Sequence, residues 1–441
     1  SAVQRRPGSP VVHLGLAQRP TQPARASTRL SKGQPGMKPK LLHVLGGGQW
    51  QLPTVRLAKA LGHRVLVSDM YRERPAYALA DEHEVVDITD CEATLQLASR
   101  CRIDGIICDT TDVGVVTAAF VAERLGLPGI GHETARNFTD KGRMRRLTAA
   151  AGMVVPRYRL LSSAAGLTAA AAEVAYPLIV KPVDSQSGRG VSRLSGPDGL
   201  DAAYRLARSC SRSGEVLIES CVDGSEIIVD GFVIAGRPQI LGIARKVPFA
   251  DSLTVSSRIH YPGALPGAEY ERIRATACAT LSVLGLQDGV FHAEFMLSGE
   301  HVVPLDIAAR GGGVMIYTHV LPHISGVNVN QAMIERALGE PIRINPLAVP
   351  RAANIEFFSM PRGTIAEISG ADAAAAVPGV AAVHFNLQAG DEVGPLEHKD
   401  RRPGYVVSLA DSPAEVIEIA RRAISLLRIR MAGDDGFTSV G

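Results

Sequence analysis

Residues 291–313 read FHAEFMLSGEHVVPLDIAARGGG. Two apolar runs within and beside it, 290–297 and 301–307, each have the composition of a strand, and Ser298-Gly299-Glu300 has that of the turn between them. A hairpin places Glu294 and Asp306 near each other across the pair. Two converging carboxylates followed by Arg310 and three glycines suit a magnesium–phosphate site, because carboxylates hold hard cations and a guanidinium clamps phosphoryl or carboxylate oxygens. The same residues also suit two charges on a solvated hairpin face. Taken alone, the stretch decides between these no better than evenly.

A chain of 441 residues has room for two to four domains. With 46% apolar and 21% charged residues it has ordinary globular composition. No uninterrupted apolar run approaches the roughly 18 residues that span a bilayer, so no membrane is expected. The six cysteines, Cys91, Cys101, Cys108, Cys210, Cys221 and Cys278, form no C-x-x-C pair and read as reduced thiols of a cytoplasmic protein. The net charge of +3 misleads. Residues 1–40 hold eight Lys or Arg and no acid, which leaves −5 for the rest. The basic excess is a tail rather than a binding face, and nothing in the charge suggests nucleic acid. Residues 1–36 are Arg-, Pro- and Ser-rich, without the apolar segment of a secretory signal; they are expected to be a disordered basic tail. Their lack of acids has some likeness to an organelle transit peptide.

From residue 37 to 135 strands and helices alternate. LLHVL (41–45), a Gly46-Gly47-Gly48 turn, a helix from about Pro53 to Leu61, VLVSD (65–69), short strands near 84–87 and 105–108 and a helix at 113–125 predict an α/β domain with a small parallel sheet. The glycine turn, with Asp69 about 20 residues on, invites a dinucleotide-binding reading. The spacing fails, since a Gly or Ala is needed at position 51 and Gln51 stands there. A region of different texture, 136–345, follows. It contains YPLIVKP (176–182), the loop DSQSGRG (184–190), EVLIES (215–220), an apolar strand pair at 225–235 and 238–244, and a helix near 267–285 before the acidic hairpin. Residues 346–441 read as a small C-terminal α+β unit that closes with an amphipathic helix at 412–428.

Four features between these landmarks suggest nucleoside triphosphate chemistry. Lys141 begins a basic helix. Lys181 ends a buried strand, where a lysine needs a partner. Ser185 to Gly190 is a small, flexible loop with several backbone N–H donors and one cation, able to fold over phosphates, although it lacks P-loop spacing. Glu219 and Glu226 flank a strand–turn–strand around Cys221-Val222-Asp223-Gly224.

This order of features resembles the ATP-grasp superfamily, and most of all its carboxylate–amine ligase branch, which includes biotin carboxylase-like enzymes and bacterial L-amino acid ligases. The resemblance covers about residues 40 to 430. LHVLGGGQWQLPTVRLAKALGHRVLVSD is similar to the preceding α/β domain of these enzymes, and LGLPGIGHETARNFTDKGRMRRLTAAAGMVVPRY to the stretch that enters the grasp domain. It implies an α/β and α+β architecture with a parallel-sheet domain, a grasp domain of two α+β subdomains and a small C-terminal subdomain. It implies that Lys141 and Lys181 hold the α- and β-phosphates of ATP, and that the loop with Ser187, Gly188 and Gly190 is the lid. It further implies that Glu219 and the backbone of Val222 read the adenine edge, that Glu226 holds the ribose, and that Glu294 and Asp306 ligate Mg2+, or Mn2+ in its place. Arg310, with Gly311 and Gly312, faces the carboxylate or phosphoryl intermediate. His292 and Lys246, and also Arg245 and His319, are substrate-side candidates for which a structural role competes. The family's pattern after the second acid is Glu-x-Asn, whereas this chain reads Asp306-Ile307-Ala308, and Ala308 cannot ligate a metal.

The implied activity is ATP-dependent amide or peptide bond formation between a small-molecule carboxylate and an amine through an acyl phosphate, in an enzyme that could be a homodimer. Three alternatives stand beside it: bicarbonate activation as in carboxylases, nucleotide binding without catalysis, and nicotinamide-dependent oxidoreduction on the first domain.

Overall fold

The computed structural model describes residues 38–250, 252–396 and 398–441, so the expected tail lies outside the described residues. The first sheet is parallel, in the order Glu82–Val85, Arg64–Asp69, Leu41–Leu45, Gly105–Ile107. Leu41–Leu45 is buried along its whole length, which is why it reads as a continuous apolar run. Helix Leu52–Ala60 starts with Pro53 in its first turn, and helix Cys91–Cys101 starts where the Asp90 side chain accepts the Ala93 N–H.

A four-stranded antiparallel sheet follows, in the order Tyr158–Leu161, Val216–Ser220, Leu178–Pro182, Ser192–Leu194. Helices Leu167–Val174 and Leu200–Cys210 pack on it through Leu167, Ala171, Ala203 and Tyr204.

The third sheet has eight strands, ordered His301–Ala308, Gly289–Ser298, Ser225–Ile234, Arg237–Phe249, Ser252–Tyr261, Ala352–Phe357, Gly404–Ala410, Val380–Phe385. Two features depart from the sequence reading. Strand Arg237–Phe249 runs five residues past the apolar stretch and pairs with the polar strand Ser252–Tyr261, where the register shifts on both sides of Pro248. That polar strand is held by its other neighbour, Ala352–Phe357. The sheet therefore runs on across residue 346, and the expected 136–345 and 346–441 units share it. A small sheet of Glu392–Val393, Gly363–Ser369, Arg428–Met431 and Thr438–Ser439 completes the C-terminal part, beside helix Pro413–Ile424 with Ser412 as its N-cap.

One face of the large sheet carries Ile228, Phe232, Ala244, Tyr261, Ile355 and Val407 and is covered by residues 316–333. At one end of that face the apolar residues give way to charge.

Candidate functional site

The hairpin forms as read from the sequence. Strands Gly289–Ser298 and His301–Ala308 pair antiparallel, and Glu294 is the direct register partner of Asp306. Directly opposed residues of an antiparallel pair project to one face. Glu226 and Lys246 join that face from the next two strands.

The Glu294 carboxylate accepts from Lys246 Nζ at 2.7 Å and from Lys399 Nζ at 3.1 Å, both on Oε1. Lys246 also bridges to Glu226. Burial alone would raise the Glu294 carboxyl, but Lys246, Lys399 and His292 outweigh it and hold it well below the usual carboxylate range. Asp306 faces Lys141 at 3.3 Å. Lys141 is placed by its helix: the Asp140 side chain caps Lys141–Ala150 by accepting the Arg143 N–H at 3.0 Å. A cation in the first turn opposes the helix dipole, so that position suits an anion beyond it. Lys141 Nζ also donates to Ser185 O at 2.9 Å, which ties it to loop 185–190. Burial disfavours the Lys141 ammonium, but Asp306 and Asp112 more than compensate and raise its pKa.

Arg310 makes two hydrogen bonds to one carboxylate: Nε donates to Asp112 Oδ1 at 2.7 Å and an Nη to Oδ2 at 3.0 Å. Asp112 belongs to the loop after Gly105–Ile107 in the first domain. Loop 185–190 reaches the same segment, since Gln186 Oε1 accepts the Asp112 N–H at 2.8 Å and Gln186 Nε2 donates to Thr111 at 3.1 Å. Within that loop, Ser187, Gly188 and Gly190 all have positive φ. After Arg310 the backbone passes too close to its neighbours for a side chain. A Cβ on Gly311 would lie 2.6 Å from the Tyr317 ring, and one on Gly312 2.9 Å from His292 Nδ1. His292 Nδ1–H donates to the fully buried Asp230 at 2.7 Å, and Tyr261 OH donates to the other oxygen of that carboxylate at 2.5 Å. Ala308 is buried and is the register partner of His292.

Glu219 differs from expectation. Its side chain is buried, with Arg145 donating to both oxygens at 3.0 and 3.3 Å and Lys181 Nζ at 3.0 Å. Arg145 also donates to Pro304 O and Leu305 O at 2.8 and 2.9 Å, one residue before Asp306. This carboxylate is committed to a buried ionic bridge between the two subdomains rather than presented to a ligand edge. Burial lowers the Lys181 pKa despite Glu219. Two further candidates turn away from the cluster. Arg245 donates to Ser225 and lies 3.8 Å from Glu269 on the opposite face of its strand from Lys246. His319 Nδ1 pairs with Thr318 Oγ1 at 2.8 Å within the partly buried segment Ile316–Val320, and burial lowers its pKa.

The glycine turn of the first domain is closed by its own chain. Asp69 accepts the Gly47 N–H at 2.9 Å and pairs with Arg74 at 3.0 Å. Gln51, at the position that breaks the dinucleotide spacing, donates to Asp109 at 3.1 Å. Asp69 is thereby engaged where a ribose-binding acid would be free.

Sequence reading missed Asp112, Arg145, Asp230 and Lys399. Asp230 had a weak signal, an acid inside an apolar strand, whereas Asp112, beyond the end of strand Gly105–Ile107, had none. Lys399 sits in the charged run 398–402 and had none.

Glu294 and Asp306 fit Mg2+ as a donor set. They are two hard carboxylates on adjacent strands, and among the described residues no group of three or more His, Cys, Asp or Glu is placed to hold a metal by protein alone. Such a set suits a cation that takes its remaining oxygens from phosphates and water.

The chain matches the ATP-grasp domain family over residues 174–318 and the L-amino acid ligase C-terminal domain 2 over residues 356–432. The formate-dependent phosphoribosylglycinamide formyltransferase of Parasynechococcus marenigrum is 26% identical over 89% of this chain and 98% of its own length. In fold, the L-amino acid ligase of Bacillus licheniformis superposes with a TM-score of 0.76 at 22% identity, over 90% of this chain and all of that one. The N5-carboxyaminoimidazole ribonucleotide synthetase of Thermotoga maritima superposes with a TM-score of 0.67 at 20% identity, over 89% of this chain and 99% of that one. With a grasp domain followed by an L-amino acid ligase C-terminal domain, the chain belongs to the ATP-grasp superfamily, in its carboxylate–amine ligase branch.

Proposed function

We propose that the protein joins a small-molecule carboxylate to an amine at the expense of ATP, with an amino acid as the carboxylate substrate. The observation that carries this reading is the paired Glu294 and Asp306, ringed by Lys141, Lys246 and Lys399, with Arg310 beside them. The amino-acid assignment is supported by the L-amino acid ligase domain at residues 356–432.

A carboxylate oxygen of the substrate attacks the γ-phosphorus and ADP leaves, giving an acyl phosphate. The amine then attacks the acyl carbon, phosphate departs with the former carboxylate oxygen, and the amine loses its proton. The chain contributes positioning and charge rather than a covalent intermediate. In this reading Lys141 and Lys181 hold the α- and β-phosphates, loop 185–190 closes over them, and Glu226 takes the ribose. Glu294 and Asp306 hold Mg2+, which when bound neutralises phosphate charge. Arg310 and the N–H groups of Gly312 and Gly313 receive the carboxylate and the developing oxyanion.

The test uses amino acids labelled with 18O in the carboxylate, mixed with ATP, Mg2+ and an amine pool. The reading predicts one labelled oxygen in the released phosphate and an amide product by mass. ADP release with unlabelled phosphate would contradict it.

A further inference from the structure

Behind the Arg310–Gly313 segment lies a cleft of about 100 Å3 that none of the proposed nucleotide or metal residues lines. Its walls come from separate parts of the fold. They include Cys108 at the end of the parallel sheet, Ala118 and Ala119 of helix Val115–Leu125, Phe232 and Val290 of the large sheet, and Met333 of helix Val329–Ala337. Most of this surface is aliphatic or aromatic. Two charged residues line the cleft, Asp288 and Arg336, and they pair with each other at 3.3 Å. Both are partly exposed, about a quarter for Asp288 and a third for Arg336. Asp288 also accepts the Ala235 N–H at 3.2 Å.

From this arrangement we propose a second binding site, outside the catalytic centre, for an aliphatic α-amino acid. A partly exposed ion pair contributes little by itself, so exchanging it for two pairs with a ligand is feasible. Arg336 takes the carboxylate, Asp288 takes the ammonium, and the apolar walls take the side chain. The size agrees: one water accounts for roughly 30 Å3 of liquid, and an apolar cavity of roughly 150 Å3 admits benzene. A side chain of three or four carbons falls between the two. A ligand with one head group would leave the other charge of the pair uncompensated, which selects the zwitterion.

The cleft also bears on the catalytic segment. Ala309, which lines it, precedes Arg310. Cys108, on the facing wall, precedes Asp109, whose carbonyl accepts the Gly311 N–H at 2.9 Å. An occupant therefore contacts both strands of chain that set the position of Arg310.

The experiment is calorimetric titration of the full-length, nucleotide-free protein with L-leucine, 4-methylpentanoate and 3-methylbutylamine. The same titrations are run on Arg336→Met and Ala119→Leu, with ADP binding measured in all three proteins. The proposal expects leucine to bind the wild type at least about tenfold more tightly than either single-headed analogue. Each variant weakens leucine by about tenfold or more and leaves ADP affinity within about twofold. If Ala119→Leu fails to fold, Arg336→Met at its partly exposed position carries the test. Absence of leucine binding to the wild type overturns the proposal, as does equal binding of the analogues. Leucine affinity unchanged in the variants would place leucine in the catalytic centre and overturn it too. The labelled-oxygen experiment is unaffected by any of these outcomes, so failure of the cleft and failure of the ligase reading are separable.

Discussion

Asp109, just past the end of strand Gly105–Ile107, and Glu294, in the middle of strand Gly289–Ser298, lie on opposite sides of the domain boundary, and their carboxylates are held in different ways. Asp109 is fully buried and accepts from Gln51 Nε2 at 3.1 Å, Thr54 Oγ1 at 2.5 Å and Tyr317 OH at 2.8 Å. Its partners are short, neutral groups fixed by their own elements. Glu294 instead faces the ends of two lysines, one from the large sheet and one from the segment Lys399–Arg401. Fixed dipoles leave an acid no room to change partner, so Asp109 fastens the first domain to the segment after Arg310. Ammonium groups on long stems can move aside, so Glu294 can exchange a lysine for a metal or take part with both. The same carboxylate group thus serves as a rivet in one place and, in the proposed function, as a metal ligand in the other.

The most damaging test of this contrast is Asp306→Asn. Removing one metal carboxylate should lower turnover by about a hundredfold or more with little loss of stability. Steady-state ADP release and thermal unfolding measure the two effects, and unaltered turnover would make the hairpin acids ordinary surface charges. The converse is Tyr317→Phe, which takes one donor from buried Asp109. It should cost about 1–3 kcal/mol of stability, measured by urea unfolding, while KM for ATP stays within about twofold. A large change in KM with stability intact would move Asp109 into the ligand-binding class.

Lys399→Met sharpens the other side. With one competing cation removed, nucleotide-free protein should bind Mn2+ about fivefold more tightly in a spin-resonance titration. Unchanged affinity would show that Lys399 does not hold Glu294 in solution. The smallest effect is expected from Ala308→Asn, which restores the amide of the family pattern. Because Mg2+ readily keeps water ligands, turnover should change by less than about threefold. A much larger gain would identify Ala308 as a true deficit.

Local signals carried much of this in the sequence. The hairpin around Glu294 and Asp306, the capped helix that starts at Lys141 and the flexible loop 185–190 all follow from patterns within about 20 residues. The parts that were not legible depend on distant pairing. Ser252–Tyr261 is too polar to mark itself as a strand and exists because two neighbours bracket it. Glu219 looked like a presented acid because its partners, Arg145 and Lys181, lie 74 and 38 residues away and nothing local shows that they converge on it. Lys399 reaches Glu294 across 105 residues. Asp112 becomes informative only once Arg310, 198 residues on, is seen against it.

Whether Glu294 belongs to a working ATP site is decided by comparing ADP release from wild type and Glu294→Gln, given ATP, Mg2+ and pooled amino acids. Amino acid-dependent release is expected from the wild type, with a loss of about a thousandfold in the variant. Equal release from the two proteins, or no release from the wild type with any pool, would contradict that assignment.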